Sequence, residues 1–228
     1  MLNEKSLYTI STQITENEFI KPLYQSYCFS NISGTLLKLF KQETKKKGLP
    51  KDCIAELNPD CKKVILFIID AFGWDLLQRN MQQPRTHSLK QWEEAGMLSK
   101  ITSSFPSTTA VCMTELYSGV PTISSGVIEW FYYDGQVGEI INPFGFSLYS
   151  DEKLNCLSDQ GFTPNQLLPT SALASSLNEI EVPWYAYMPD SYLKSKYNEA
   201  VLSGSKLVSI LDRKESLNNF ITNILNTP

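Results

Sequence analysis

The sequence predicts an α/β fold with a mainly parallel sheet flanked by helices. Two observations predict it. Val64 to Ile69, within "KKVILFIIDAFGWDLL", is a continuous apolar run rich in β-branched residues that stops at Asp70. Such a run suits a strand buried on both faces, as parallel sheets require. From Val64 onward, segments of strand character alternate with segments of helical character, the pattern of strands joined through helices.

The elements follow in order. In the irregular first 60 residues "SGTLLKLFKQE" predicts a helix, and Pro50 to Pro59 a linking loop. Gly73 allows a tight turn after Asp70, and "WDLLQRNM" predicts a helix. "HSLKQWEEAGM" predicts another, with Gly96 near its C-terminal end. "MLSKITSSF" alternates apolar and polar residues and predicts a strand, and "STTAVCMTELYSG" a helix closed by Gly119. "GVIEWFYY" and "GEIINPFGF" read as extended, and "PTSALASSLNEI" as a helix capped by Thr170 or Ser171. "VPWYAYMP" predicts a strand, and "YLKSKYNEAV" and "SKLVSILDRKESLNNFITNIL" predict helices. The expected organisation is an N-terminal extension, 1–62, packed on a core domain of residues 63–228.

Composition narrows the function. A chain of 228 residues that is 42% hydrophobic can bury one sizeable core. A net charge of −4 argues against a nucleic-acid surface, although it leaves room for an anionic substrate at a local site. The basic run Lys41 to Lys51 reads as a solvated loop. Five cysteines, an odd number with no C-x-x-C spacing, read as reduced and mostly buried thiols. The N-terminus has no basic segment followed by an apolar run, and no stretch approaches the roughly 18 apolar residues of a membrane span. The expectation is a soluble, cytoplasmic protein.

Two polar residues stand out. A carboxylate at the end of a buried strand, as Asp70 is expected to be, costs desolvation energy unless paired. It either caps the helix near Trp74 or serves as a ligand, and Asp oxygen suits zinc, magnesium or manganese. Thr109 falls in the first turn of the next predicted helix, near backbone N–H groups that lack intrahelical partners and favour an anion. An unassisted hydroxyl is a weak nucleophile, which metal coordination corrects. The bland alternative makes Ser107 or Thr108 the cap and Thr109 a first-turn residue. His87, the sole histidine, reads as an exposed, non-catalytic side chain, and Asp190 as a helix cap. Trp130, Phe131, Tyr132 and Tyr133 read as core or strand-face aromatics rather than a base-stacking platform. No G-x-G-x-x-G, P-loop or G-x-S-x-G motif occurs.

Together "VILFIIDAFGWDLL" and "SSFPSTTAVCMTELYSGVPTISSGV" resemble the alkaline phosphatase superfamily, specifically its type I phosphodiesterase/nucleotide pyrophosphatase branch. The first resembles the opening strand and metal-binding aspartate, with Ala71 where a glycine is usual. The second resembles the nucleophile segment, whose threonine lies ten residues before the glycine of a T-G pair. Counting back from Gly119 gives Thr109. Ser118 stands where that pair has threonine, and Ser125 where a histidine before glycine is common.

The resemblance implies an alkaline phosphatase-like fold and a metal-dependent hydrolase of small phosphate esters or nucleotides. Thr109 would be nucleophile and metal ligand, Asp70 a metal ligand, and the backbone N–H groups of Thr108 and Ala110 substrate contacts. Two divalent ions are implied, zinc or else manganese. The remaining ligands of that pattern, in P-x-x-D-x-x-x-H and D-H-G motifs, are missing. The expectation is therefore an incomplete site and an incomplete sheet: an N-terminal part of a longer protein or a truncated copy, inactive alone. Two rivals stand beside it. One is a degenerate, non-catalytic domain of the same fold. The other is a haloacid dehalogenase-type phosphatase, which needs a second acid where Phe72 stands.

Overall fold

The computed structural model describes residues 1–40, 44–55, 57, 60–83, 87–170, 172–210 and 213–226. The chain divides into two units, Met1–Thr109 and Ala110–Pro228. The first is held largely by polar contacts and the second by an apolar core.

In the first unit the helices are α1 (Glu4–Ser11), α2 (Ile32–Leu39), α3 (Trp74–Met81) and α4 (His87–Ala95). Asn3 caps α1 by accepting the Ser6 amide at 3.0 Å. Where the chain crosses α2, a Cβ on Gly34 would meet the Lys47 carbonyl oxygen at 2.1 Å, so only glycine permits that approach. Buried apolar side chains are few here: Ile10, Tyr27, Cys28 and Leu37. Buried polar ones outnumber them: Asn3, Ser6, Asn31, Ser33, Thr35, Thr102 and Ser104.

Two expected strands do not form in this unit. Val64 to Ile69 has no regular structure and belongs to no ladder, and Ile65, Leu66, Phe67, Ile68 and Ile69 are 43–66% exposed. β-branched composition sets a preference, but a strand exists only where a neighbour completes its hydrogen bonds. "MLSKITSSF" makes isolated bridges, Leu2 with Leu98 and Cys28 with Thr102, because irregular N-terminal chain lies beside it.

The second unit opens with α5 (Thr109–Ser118, counting its first residue) and α6 (Thr122–Ser125). Gly119 follows α5 at φ 65°, the left-handed cap expected of it. Strands β1 (Tyr132–Asp134), β2 (Glu139–Asn142) and β3 (Ser147–Leu148) make an antiparallel sheet in that order. Then come α7 (Cys156–Asp159), α8 (Pro164–Leu167), α9 (Ala172–Glu179), β4 (Tyr185–Met188), α10 (Asp190–Leu193), α11 (Lys196–Val201), β5 (Lys206–Ser209) and α12 (Arg213–Asn226). Strands β4 and β5 pair in parallel, Tyr185 with Lys206 through Met188 with Ser209.

The fold is thus mixed α/β, but the described residues do not form a mainly parallel sheet. The larger sheet is antiparallel because its connections, Gly135–Gly138 and Pro143–Phe146, are too short for a parallel crossover. The long helix expected from Ser205 starts instead at Arg213, since Leu207 and Val208 pair with β4. The helix expected from Tyr192 is broken: one segment ends at Leu193, and Ser195 caps the next, accepting the Tyr197 amide at 3.2 Å. Asp190 is the first residue of α10 and Pro189 its cap, reversing the expected order. Ser171 lies outside the described residues. The core gathers Ala110, Val127, Ile141, Phe146, Leu157 and Tyr197, all nearly inaccessible to solvent. Trp130 and Tyr132 pack against it, whereas Tyr133 is exposed.

Candidate functional site

Asp70 lies in a turn at the end of the apolar run. Ala71 adopts φ 57°, a left-handed conformation, and its amide donates to Asp70 Oδ1 at 2.9 Å. The cap position of α3 falls on Gly73, with no side-chain cap bond, so Asp70 does not cap that helix. Its carboxylate faces Thr109 instead. Thr109 Oγ1 is 3.2 Å from Asp70 Oδ1 and 3.3 Å from Oδ2. Asp70 is exposed and Thr109 half-buried, so solvent reaches the pair.

The Ala71 amide thus holds one oxygen of the Asp70 carboxylate, and the left-handed backbone at Ala71 turns the chain away directly after it. Nearby in sequence, Lys100 Nζ stacks 5.6 Å from the centre of the Trp74 ring at the start of α3.

The other expected site residues divide. Thr108 is half-buried and Ala110 is fully buried in the first turn of α5. The His87 side chain lies outside the described residues. All five cysteines are free, with Cys28 and Cys156 buried.

Sequence reasoning missed two polar features. In the first unit Asp52 Oδ2 accepts from the Tyr27 hydroxyl at 2.6 Å and from Asn3 Nδ2 at 2.9 Å. Burial and this carboxylate push the Tyr27 phenol well above its ordinary range. Burial works to raise Asp52, but the hydrogen bonds from Tyr27 and Asn3 outweigh it and hold the carboxyl below its usual range. In the second unit Glu115 is fully buried on α5 and accepts from Thr122 N at 2.8 Å and Thr122 Oγ1 at 3.0 Å. No local sequence signal marks either, since the partners are distant or sit across a turn.

The donors at the Asp70–Thr109 pair are one carboxylate and one hydroxyl. Both are hard oxygen ligands, but zinc sites use three or four protein ligands. Among the described residues no group of three or more His, Cys, Asp or Glu side chains could hold a metal ion. The pair therefore does not by itself make a metal centre. No described helix is long and apolar enough to cross a membrane.

Comparison with known proteins bears on the same residues. The family model described as type I phosphodiesterase / nucleotide pyrophosphatase matches residues 64–227, a span that includes both Asp70 and Thr109. No curated protein and no solved structure gives a match. The family match supports hydrolysis of phosphate esters and is generally associated with metal dependence. Since the match covers most of the chain, the protein belongs to the type I phosphodiesterase/nucleotide pyrophosphatase family of the alkaline phosphatase superfamily.

Proposed function

We propose that the chain is a hydrolase acting on small phosphate esters or nucleotides, with Thr109 as the attacking group. The observation that carries this reading is the hydrogen bond from Thr109 Oγ1 to the Asp70 carboxylate. It joins two residues 39 positions apart, both inside the matched family span. A solvent-accessible serine or threonine hydroxyl addressed by a carboxylate is arranged for proton transfer as its oxygen attacks.

In the proposed reaction Thr109 Oγ1 forms a bond to phosphorus, its proton passes toward Asp70, and the ester oxygen departs with the bonding pair. Water then cleaves the phosphothreonine. The amides of Thr108 and Ala110, at the start of α5, would donate to the charged phosphoryl oxygens. Two divalent ions, zinc or else manganese, belong to the complete centre that the family resemblance implies. Such an ion would lower the pKa of a bound hydroxyl. Asp70 and Thr109 would be two of its ligands, and they fall short of the full set. An alkaline phosphatase-like core beginning near residue 63 is part of the same reading, supported by the start of the family match at residue 64.

The test is covalent trapping. Incubation with a p-nitrophenyl phosphonate, with and without added zinc, followed by peptide mass spectrometry, should place the adduct on Thr109. Labelling of another residue, or equal labelling of Thr109→Ala, removes the assignment. A second reading, a non-catalytic domain of this family, draws on the two-donor site. Under it neither phosphonate nor zinc modifies or binds the chain at Thr109.

A further inference from the structure

Residues 1–6 and 23–29 lie outside the matched family span, yet they pair with the segment that leads to Thr109. Leu98 exchanges backbone bonds with the N-terminus: Leu98 N donates to Met1 O at 2.8 Å and Asn3 N to Leu98 O at 2.8 Å. Asn3 Nδ2 donates to Ser99 Oγ at 2.9 Å, and Lys100 N to Ser6 Oγ at 3.0 Å. Thr102 is held four times: its amide donates to Tyr27 O at 2.8 Å and its carbonyl accepts from Phe29 N at 2.9 Å. Its hydroxyl accepts from Leu23 N at 2.9 Å and donates to Tyr27 O at 3.0 Å. Further along, the Phe105 amide donates to the Tyr24 hydroxyl at 2.9 Å.

We infer that this N-terminal segment is a brace that positions the nucleophile, and that Tyr24 is its terminal positioning residue. The reasoning is geometric and rests on Thr109 being the nucleophile. The segment from Leu98 to Phe105 forms no regular strand, so its conformation is set by the brace rather than by a sheet. Thr109 lies only four positions beyond Phe105, a reach of about 14 Å at full extension. Fixing the Phe105 amide therefore limits where Thr109 Oγ1 can sit relative to Asp70. Phe105 itself is 72% exposed, so its side chain contributes little to anchoring that point. The Tyr24 hydroxyl holds the backbone at that point instead. A small displacement of an attacking atom lowers turnover far more than it lowers stability.

The variant is Tyr24→Phe, which removes the acceptor and keeps the ring. Two readouts separate this inference from the hydrolase reading. The first is amide hydrogen exchange of residues 98–109, which needs no activity. Exchange at Phe105 should rise about tenfold, with faster exchange spreading to Thr108 and Thr109. The second is steady-state hydrolysis of a p-nitrophenyl phosphodiester by the full protein. There kcat should fall about tenfold with KM within twofold, and the exchange at Leu98 to Lys100 should stay unchanged. A rise confined to Phe105, or an unchanged kcat in an active protein, overturns the brace. If the wild-type protein shows no turnover, the hydrolase reading fails, and the spread of exchange still decides whether the brace holds Thr109.

Discussion

The Thr109 hydroxyl addresses both oxygens of the Asp70 carboxylate, at 3.2 Å and 3.3 Å, across a turn held by the strained Ala71. Neither side chain is deeply buried, so neither is explained by packing. This makes the pair separable from the fold. If Thr109 is the attacking group proposed above, Thr109→Ala should lower phosphodiesterase turnover by about a thousandfold or more. Asp70→Asn, which keeps the shape and loses the proton acceptor, should cost about a hundredfold. Both variants should unfold within about 0.5 kcal/mol of wild type in urea, because surface changes away from core features are small. Stability losses well beyond that would make the pair a structural contact instead.

How far the sequence was legible depends on the range of the interactions. Helix α3 is local: Gly73 and the residues after it set its start, and it forms over the expected residues. The same holds for α5, where Gly119 supplies the left-handed exit. The Asp70–Thr109 contact was accessible because both residues sit in motifs. Strand pairing was not. Val64 to Ile69 has strong strand composition and no ladder, while Lys206 to Ser209, inside an apparent helix, is drawn into a strand by β4. The brace from Met1 to Phe29 was invisible for the same reason. Its bonds are backbone and short polar contacts between segments 70 to 100 residues apart, which leave no periodicity.

Ala71 stands at φ 57°, where a Cβ is crowded against the backbone at about 1–2 kcal/mol. Ala71→Gly removes that crowding and adds some entropy to the unfolded chain, which offsets about half of it. The variant should gain about 0.5–1 kcal/mol, read as a rise of about 1–4 °C in Tm for a chain of this size. It should also loosen the turn that presents Asp70, so turnover should fall while stability rises. A variant less stable than wild type would show that the conformation is not strained.

Asp52 predicts a pH dependence. Its folded pKa lies below the usual carboxylate range, with burial opposing and the Tyr27 and Asn3 hydrogen bonds prevailing. A depressed carboxylate pKa stabilises the folded state above the unfolded value of about 3.9. That stability is lost as pH falls through the folded value. Wild-type Tm should therefore drop steeply on acidification below about pH 4. Asp52→Asn keeps acceptors for Tyr27 and Asn3 but loses the charge, so its Tm should be lower at pH 7 and flatter in acid. Parallel acid limbs for the two proteins would remove Asp52 from the linkage.

Glu115 offers the most stringent test of the second unit. Its side chain is fully buried on α5, and it receives both the amide and the hydroxyl of Thr122, the first residue of α6. The carboxylate thus satisfies an N-terminal donor that α6 cannot satisfy internally. Glu115→Ala leaves that buried amide without its acceptor and opens a cavity beside the core. Together these should cost about 3 kcal/mol in urea unfolding. Glu115→Gln retains one amide oxygen for Thr122 and should cost about 1 kcal/mol, the difference between a charged and a neutral acceptor. The order matters more than the sizes. If Gln proved as damaging as Ala, the charge itself would be what the interior requires. If Ala proved harmless, the two bonds to Thr122 would have no part in holding α6 to the end of α5.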